Sequence, residues 1–193
     1  MNFLAHLYLS GNSEELLIGN FIADAVKGSN FEGFHPQVVK GIKLHRSIDA
    51  FTDSHPVFLQ SKRRLVPHFD KYSGVLMDIF YDHFLAANWN SYHPTSLDIY
   101  AQDVYALMKR NTHHLPEHSK FMLPYMIKGN WLYNYAHFEG IQRTLNGLSR
   151  RTKFVSGMEK GVIYLQQDYA LYEKEFAEFF PEIVEFVKKE MTV

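Results

Sequence analysis

The chain has 193 residues, with 20 Lys and Arg against 21 Asp and Glu, a formal net charge of −1, and no cysteine. That balance argues against a general nucleic-acid binder, which needs many phosphate contacts. The missing thiols exclude disulfides, thiolate zinc sites and cysteine nucleophiles, leaving His and carboxylate as ligand chemistry. The length suits one domain that buries about 70 % of the surface its unfolded form exposes.

Helical periodicity dominates, and the expected class is all-α, with roughly eight to ten helices in a single domain spanning residues 1–193. The opening MNFLAHLYLSGN is apolar but short, has no basic flank and contains His6. It reads as a first helix or strand, not a signal peptide. A second helix is expected from Ser13, as its cap, to Gly28, burying Leu17, Ile18, Phe21, Ile22 and Ala25, with Asp24 at the border of that stripe. Pro36 opens a third helix that closes before Ser54. On it Val38, Ile42, His45, Asp49 and Asp53 fall within one narrow arc.

Pro56 starts a fourth helix. Ser73 to Trp89 forms a fifth, with Val75, Asp78, Ile79, Asp82 and Ala86 on one side and His83 at the edge of that face. Further helices are expected at Ser96 to Arg110, at Glu117 to Lys128, and in the region from Tyr135 to Leu148. The tail from Met158 to Lys189 reads as a packing helix kinked or broken at Pro181. No stretch is long and apolar enough to span a bilayer, so a cytoplasmic enzyme is the expectation.

Acids and histidines therefore occupy positions where a helical reading expects apolar core. Unpaired buried carboxylates cost several kcal/mol each, so they need cations, hydrogen bonds or a metal. In the third helix His45, Asp49 and Asp53 form a double i, i+4 series with Arg46 alongside. The bland reading, that Arg46 pairs with the acids and His45 is a satisfied core residue, is equally open for this helix alone. The fifth helix shifts the balance, because two helices bringing acids inward point to a shared site. Imidazole with several carboxylates favours Mn²⁺ or Mg²⁺, with zinc or iron open. Asp24 is a third contributor, whereas a lone His6 in an apolar segment is more often a core residue.

Short motifs in order complete the reading: Asn2-Phe3-Leu4-Ala5-His6-Leu7, Gly19-Asn20-Phe21-Ile22-Ala23-Asp24, Gly41 through His45-Arg46 and Asp49 to Thr52-Asp53, then Asp78 with Tyr81-Asp82-His83. They continue through Trp131-Leu132, Tyr135, Gln142 and Leu145 to Arg150-Arg151. In this ordered set the chain resembles the acyl carrier protein phosphodiesterases nearly end to end.

The resemblance implies an HD-like helical hydrolase that removes 4′-phosphopantetheine from holo acyl carrier protein in a Mn²⁺-dependent reaction. It implies Asp24, His45, Asp82 and His83 as metal ligands, with Arg46, Asp49, Asp53, Asp78 and His6 as close neighbours. Arg46 would stabilise phosphoryl charge, and Asp49 or His83, if not ligands, would supply the leaving group's proton. The chain departs from the broader HD pattern, since the adjacent His-Asp pair occurs only reversed, as Asp82-His83. An acidic carrier protein also implies a basic docking surface, for which Lys62, Arg63, Arg64, Arg150, Arg151 and Lys153 are candidates. Two rivals remain at this stage: an HD-type hydrolase of a nucleotide such as a guanosine polyphosphate, and a non-catalytic helical module binding an acidic partner.

Overall fold

The computed structural model describes residues 1–192, which hold α-helices, short 3₁₀ turns and, among the described residues, no strand. The α-helices are α1 (Phe3–Leu9), α2 (Glu14–Ile22), α3 (Pro36–Ser54), α4 (Pro56–Phe69), α5 (Ser73–Ala87), α6 (Leu97–Arg110) and α7 (Glu117–Lys128). A single turn, α8 (Trp131–Asn134), precedes α9 (Phe138–Arg151), α10 (Gly161–Gln167) and α11 (Tyr169–Thr192). The all-α expectation holds. None of these helices is long and apolar enough to cross a membrane.

Local chemistry sets most boundaries. The Ser13 side chain accepts the Leu16 N–H at 3.4 Å, with Glu14 and Glu15 in the first turn of α2, where negative charge suits the helix dipole. Pro36 occupies the first turn of α3, and Pro56 opens α4 immediately after α3 ends. Two expectations need correction. The second helix stops at Ile22 and continues only as a 3₁₀ turn, Ala23–Ala25, short of Gly28. In the tail the interruption falls at Asp168, between α10 and α11, while α11 runs through Pro181 without a break.

Helix α5 forms the centre. Every residue from Ile79 to Ala86 is buried, which fits a helix wrapped on all sides, not one with a single inward face. Its stripe of Val75, Asp78 and Asp82 therefore runs from solvent to core: Val75 is 37 % exposed, Asp82 fully buried. Helix α11 covers the bundle with Phe176 and Phe179 packed against Tyr81, Phe179 also against Phe58, and Phe180 against Phe176 and Tyr92. Its one buried acid, Glu175, accepts hydrogen bonds from Gln60, Ser61 and Arg64, so the charge is paired inside the fold.

Helices α2 and α3 meet at two glycines. A Cβ built on Gly19 would lie 2.1 Å from the Val38 carbonyl oxygen, and one on Gly41 would lie 2.5 Å from the Leu16 oxygen. The two backbones touch at these glycines, and no side chain fits between them. Gly19→Ala is expected to destabilise the protein by about 2 kcal/mol or more through overpacking. Urea denaturation reads this as a lower midpoint, and an unchanged midpoint would contradict the contact.

Candidate metal centre

The α2–α3 contact places Asn20 and Asp24 against His45. The Asn20 amide donates to the His6 carbonyl and to Ser10 Oγ, both at 2.9 Å, so its Oδ1 is left as an acceptor. His45 Nδ1 lies 2.8 Å from that oxygen and 3.1 Å from the Asn20 carbonyl, and therefore donates. This fixes the ring and aims Nε2 outward, as a hydrogen bond to the distal nitrogen does for metal-binding histidines. His45 Nε2 is 3.2 Å from both Asp24 Oδ1 and Asp49 Oδ2.

His6, on α1, stacks on His45 with ring centroids 3.9 Å apart and planes 16° from parallel. Its Nε2 lies 3.1 Å from Asp49 Oδ1 and 3.1 Å from the Met1 carbonyl oxygen, while its buried Nδ1 has no partner. A nitrogen from each ring and an oxygen of Asp49 lie within 4.8 Å of one another. Both rings are buried, whereas the side chains of Asp49 and Asp24 are 42 % and 77 % exposed, so the group is open on the carboxylate side.

The two stacked rings differ in charge. Burial pushes His6 down to about 4, against the pull of its hydrogen bond to Asp49. Burial also opposes charge on His45, but hydrogen bonds to Asp24 and Asp49 outweigh it and raise the group to about 9. Asp49 feels burial in the opposite sense, and its bonds to His45 and His6 drive it far below the usual carboxylate range. Near neutral pH the cluster carries one positive charge, on His45, between two carboxylates. Two imidazoles and two carboxylates around one exchangeable positive charge are a donor set that fits a divalent cation.

Asp24, His45 and Asp49 line a cleft of about 380 Å³, with His6 behind its wall, and the other walls include Asp53, Asp78, His118, Met122, Trp131 and Arg151. The amino group of Met1 lies 3.0 Å from Asp78 Oδ1, and burial raises the Asp78 carboxyl above its ordinary value.

Three residues expected at the site lie elsewhere. Asp82 accepts the backbone N–H groups of Asn2, Leu4 and Ala5 at 3.2, 2.7 and 3.2 Å. It caps the first turn of α1 from a distant helix, and burial lifts it to about 7 despite those bonds. His83 points away, with Nδ1 2.8 Å from the Tyr135 carbonyl oxygen and Nε2 3.2 Å from the Tyr169 hydroxyl. Arg46 donates to the Val26 carbonyl at 2.9 Å and sits over the Phe31 ring, behind Asp24 and outside the cleft. The structure brings together Asp24, His45, Asp49, Asp53 and Asp78, and adds His6, Asn20, His118 and Arg151. Asn20 carried no separate signal in the sequence, because its role depends on three backbone and side-chain partners from other segments.

No solved structure matches the chain. A protein from Photorhabdus laumondii named acyl carrier protein phosphodiesterase is 32 % identical over 186 residues, covering 96 % of this chain and 94 % of its own. One of the same name from Pectobacterium atrosepticum is 30 % identical over 189 residues, covering 97 % and 98 %. One from Escherichia coli O6:H1, also so named, is 30 % identical over 189 residues, covering 96 % of each. The family model described as acyl carrier protein phosphodiesterase matches residues 1–183, and the chain belongs to that family.

Proposed function

We propose that the chain hydrolyses the phosphodiester joining 4′-phosphopantetheine to a serine of holo acyl carrier protein, with a divalent metal, Mn²⁺ before Mg²⁺, held by His6, His45, Asp49 and Asp24. The observation that carries this reading is the stacked His6–His45 pair converging on Asp49 at the wall of an open cleft. The names of the full-length relatives supply the substrate. Nothing at the site favours a nucleotide substrate or a purely binding role.

When bound, the metal supplies Lewis acidity toward a phosphoryl oxygen and toward the attacking water. The remaining work falls to the chain. Water oxygen bonds to phosphorus and gives up one proton to a cleft carboxylate such as Asp53 or Asp78, the bond from phosphorus to the serine oxygen breaks, and that oxygen takes up a proton. His118 lines the cleft from α7, where a ring N–H can reach the leaving oxygen as proton donor. It takes the donor role that His83, hydrogen-bonded elsewhere, cannot. Arg151 lines the same cleft and has no carboxylate partner among the described residues; it replaces Arg46 as the guanidinium facing phosphoryl charge. Asp82 acts at one remove, by holding the helix that carries His6.

The basic docking surface narrows as well. Arg64 is committed to Glu175, while Arg63, Arg150, Arg151 and Lys153 are exposed, with Arg151 at the cleft, and Lys62 is half-buried, so the exposed set suits an acidic partner.

The reaction is tested by incubating holo acyl carrier protein with the enzyme and Mn²⁺, beside a chelated sample, and reading the carrier's intact mass. Loss of the phosphopantetheine mass only with metal is expected, and His45→Ala is expected to lower turnover more than a hundredfold with helical content kept. An unchanged carrier mass with every divalent ion would refute the reaction.

The metal has its own signature. Its binding must displace the proton on His45, which is held up to about 9, so Mn²⁺ affinity should rise from pH 6.5 towards 9 with about one proton released per ion. Calorimetry in buffers of different ionisation enthalpy measures both. His6→Gln should weaken Mn²⁺ binding at least tenfold and His83→Gln should not; the reverse order would reinstate His83 as a ligand.

A further inference from the structure

Beside the candidate metal centre lies a second, narrower pocket of about 170 Å³. It shares Asn2, Phe3, Trp131, Leu148 and Arg151 with the first cleft, so the two spaces adjoin along a common wall. Its far side is formed by α9 through Arg143, Thr144 and Gly147, facing Asn134 and Tyr135.

Gly147 is the informative residue. It sits inside α9, where glycine costs about 0.5–1 kcal/mol relative to alanine. Nothing else in the fold requires it: its φ is not in the left-handed region, and an added Cβ would meet no atom within 4 Å. Gly19, Gly41 and Gly140 differ, because a Cβ on any of them would strike backbone closer than 3 Å. The one consequence of leaving out a side chain at 147 is open space in the pocket.

We propose that this pocket receives the pantetheine arm of the substrate while its phosphate lies at the metal centre; this rests on the reaction proposed above. The lining matches the chemistry of such an arm. Phe3, Trp131 and Leu148 offer apolar surface to a branched aliphatic segment. Asn2, Asn134 and Thr144 bring polar groups suited to amides, and Arg151, exposed, shared with the metal cleft and without a carboxylate partner among the described residues, marks the phosphate side. An arm lying here enters from the shared wall, which sets the phosphodiester beside His6, His45 and Asp49 and leaves the carrier protein outside.

The test fills the pocket from Gly147, where the fold has room. Gly147→Ala, Gly147→Leu and Gly147→Phe should lower kcat/KM for holo acyl carrier protein in that order of severity, the phenylalanine variant by at least tenfold more than its effect on bis(p-nitrophenyl) phosphate, which carries no such arm. Calorimetric titration with free 4′-phosphopantetheine should show binding to the unaltered protein and at least tenfold weaker binding to Gly147→Phe, with thermal unfolding confirming that each variant folds. Equal losses on both substrates, no loss with phenylalanine, or no binding of 4′-phosphopantetheine to the unaltered protein would overturn the pocket assignment. The titration decides this even if the carrier protein is not turned over, so failure of the pocket and failure of the reaction are read separately.

Discussion

The site depends on one steric fact, the meeting of α2 and α3 backbone to backbone at Gly19 and Gly41. Because no Cβ intervenes, Asn20 reaches both the His6 carbonyl and the His45 ring, and Asp24 comes within 3.2 Å of His45 Nε2. A helix pair held apart by ordinary side chains, at the usual 8–10 Å between axes, would leave those groups too distant to bond. Two glycines that read in the sequence as mere motif members thus set the distances on which the chemistry rests.

A second constraint works at longer range. Helix α1 has seven residues, too few to hold itself in water, and it carries His6. The buried Asp82 carboxylate, reached from the central helix, accepts three of its orphan N–H groups. Those hydrogen bonds and the positive end of a helix favour the charged form of Asp82, against a burial that lifts its carboxyl to about 7. This explains how an acid can look like a ligand from its burial and its periodicity and yet serve as a cap.

How much was legible in the sequence follows from the range of the interactions involved. The third helix was readable because Pro36, Pro56 and the i, i+4 series of His45, Asp49 and Asp53 are local signals, and α6 and α7 fall within a residue of their expected ends. The fifth helix places Asp82 and His83 against other partners, because a helix buried on every side gives no single inward face. His6 looked like an ordinary core histidine. Its place beside His45 emerges only in the folded chain, where the two rings stack, a contact between residues 39 positions apart. In the tail Pro181 is the visible local signal, yet a helix tolerates it when neighbouring packing holds it, and the interruption at Asp168 carries no comparable signal.

The central claim is that a paired imidazole site, oriented by Asn20 and completed by Asp49 and Asp24, holds the metal. Crystals grown with Mn²⁺ and measured near its absorption edge test it most directly, since anomalous scattering locates the ion without reference to activity. The account predicts a strong peak within coordination distance of His6, His45 and Asp49. A peak beside Asp82 and His83, or none in the cleft, would contradict it.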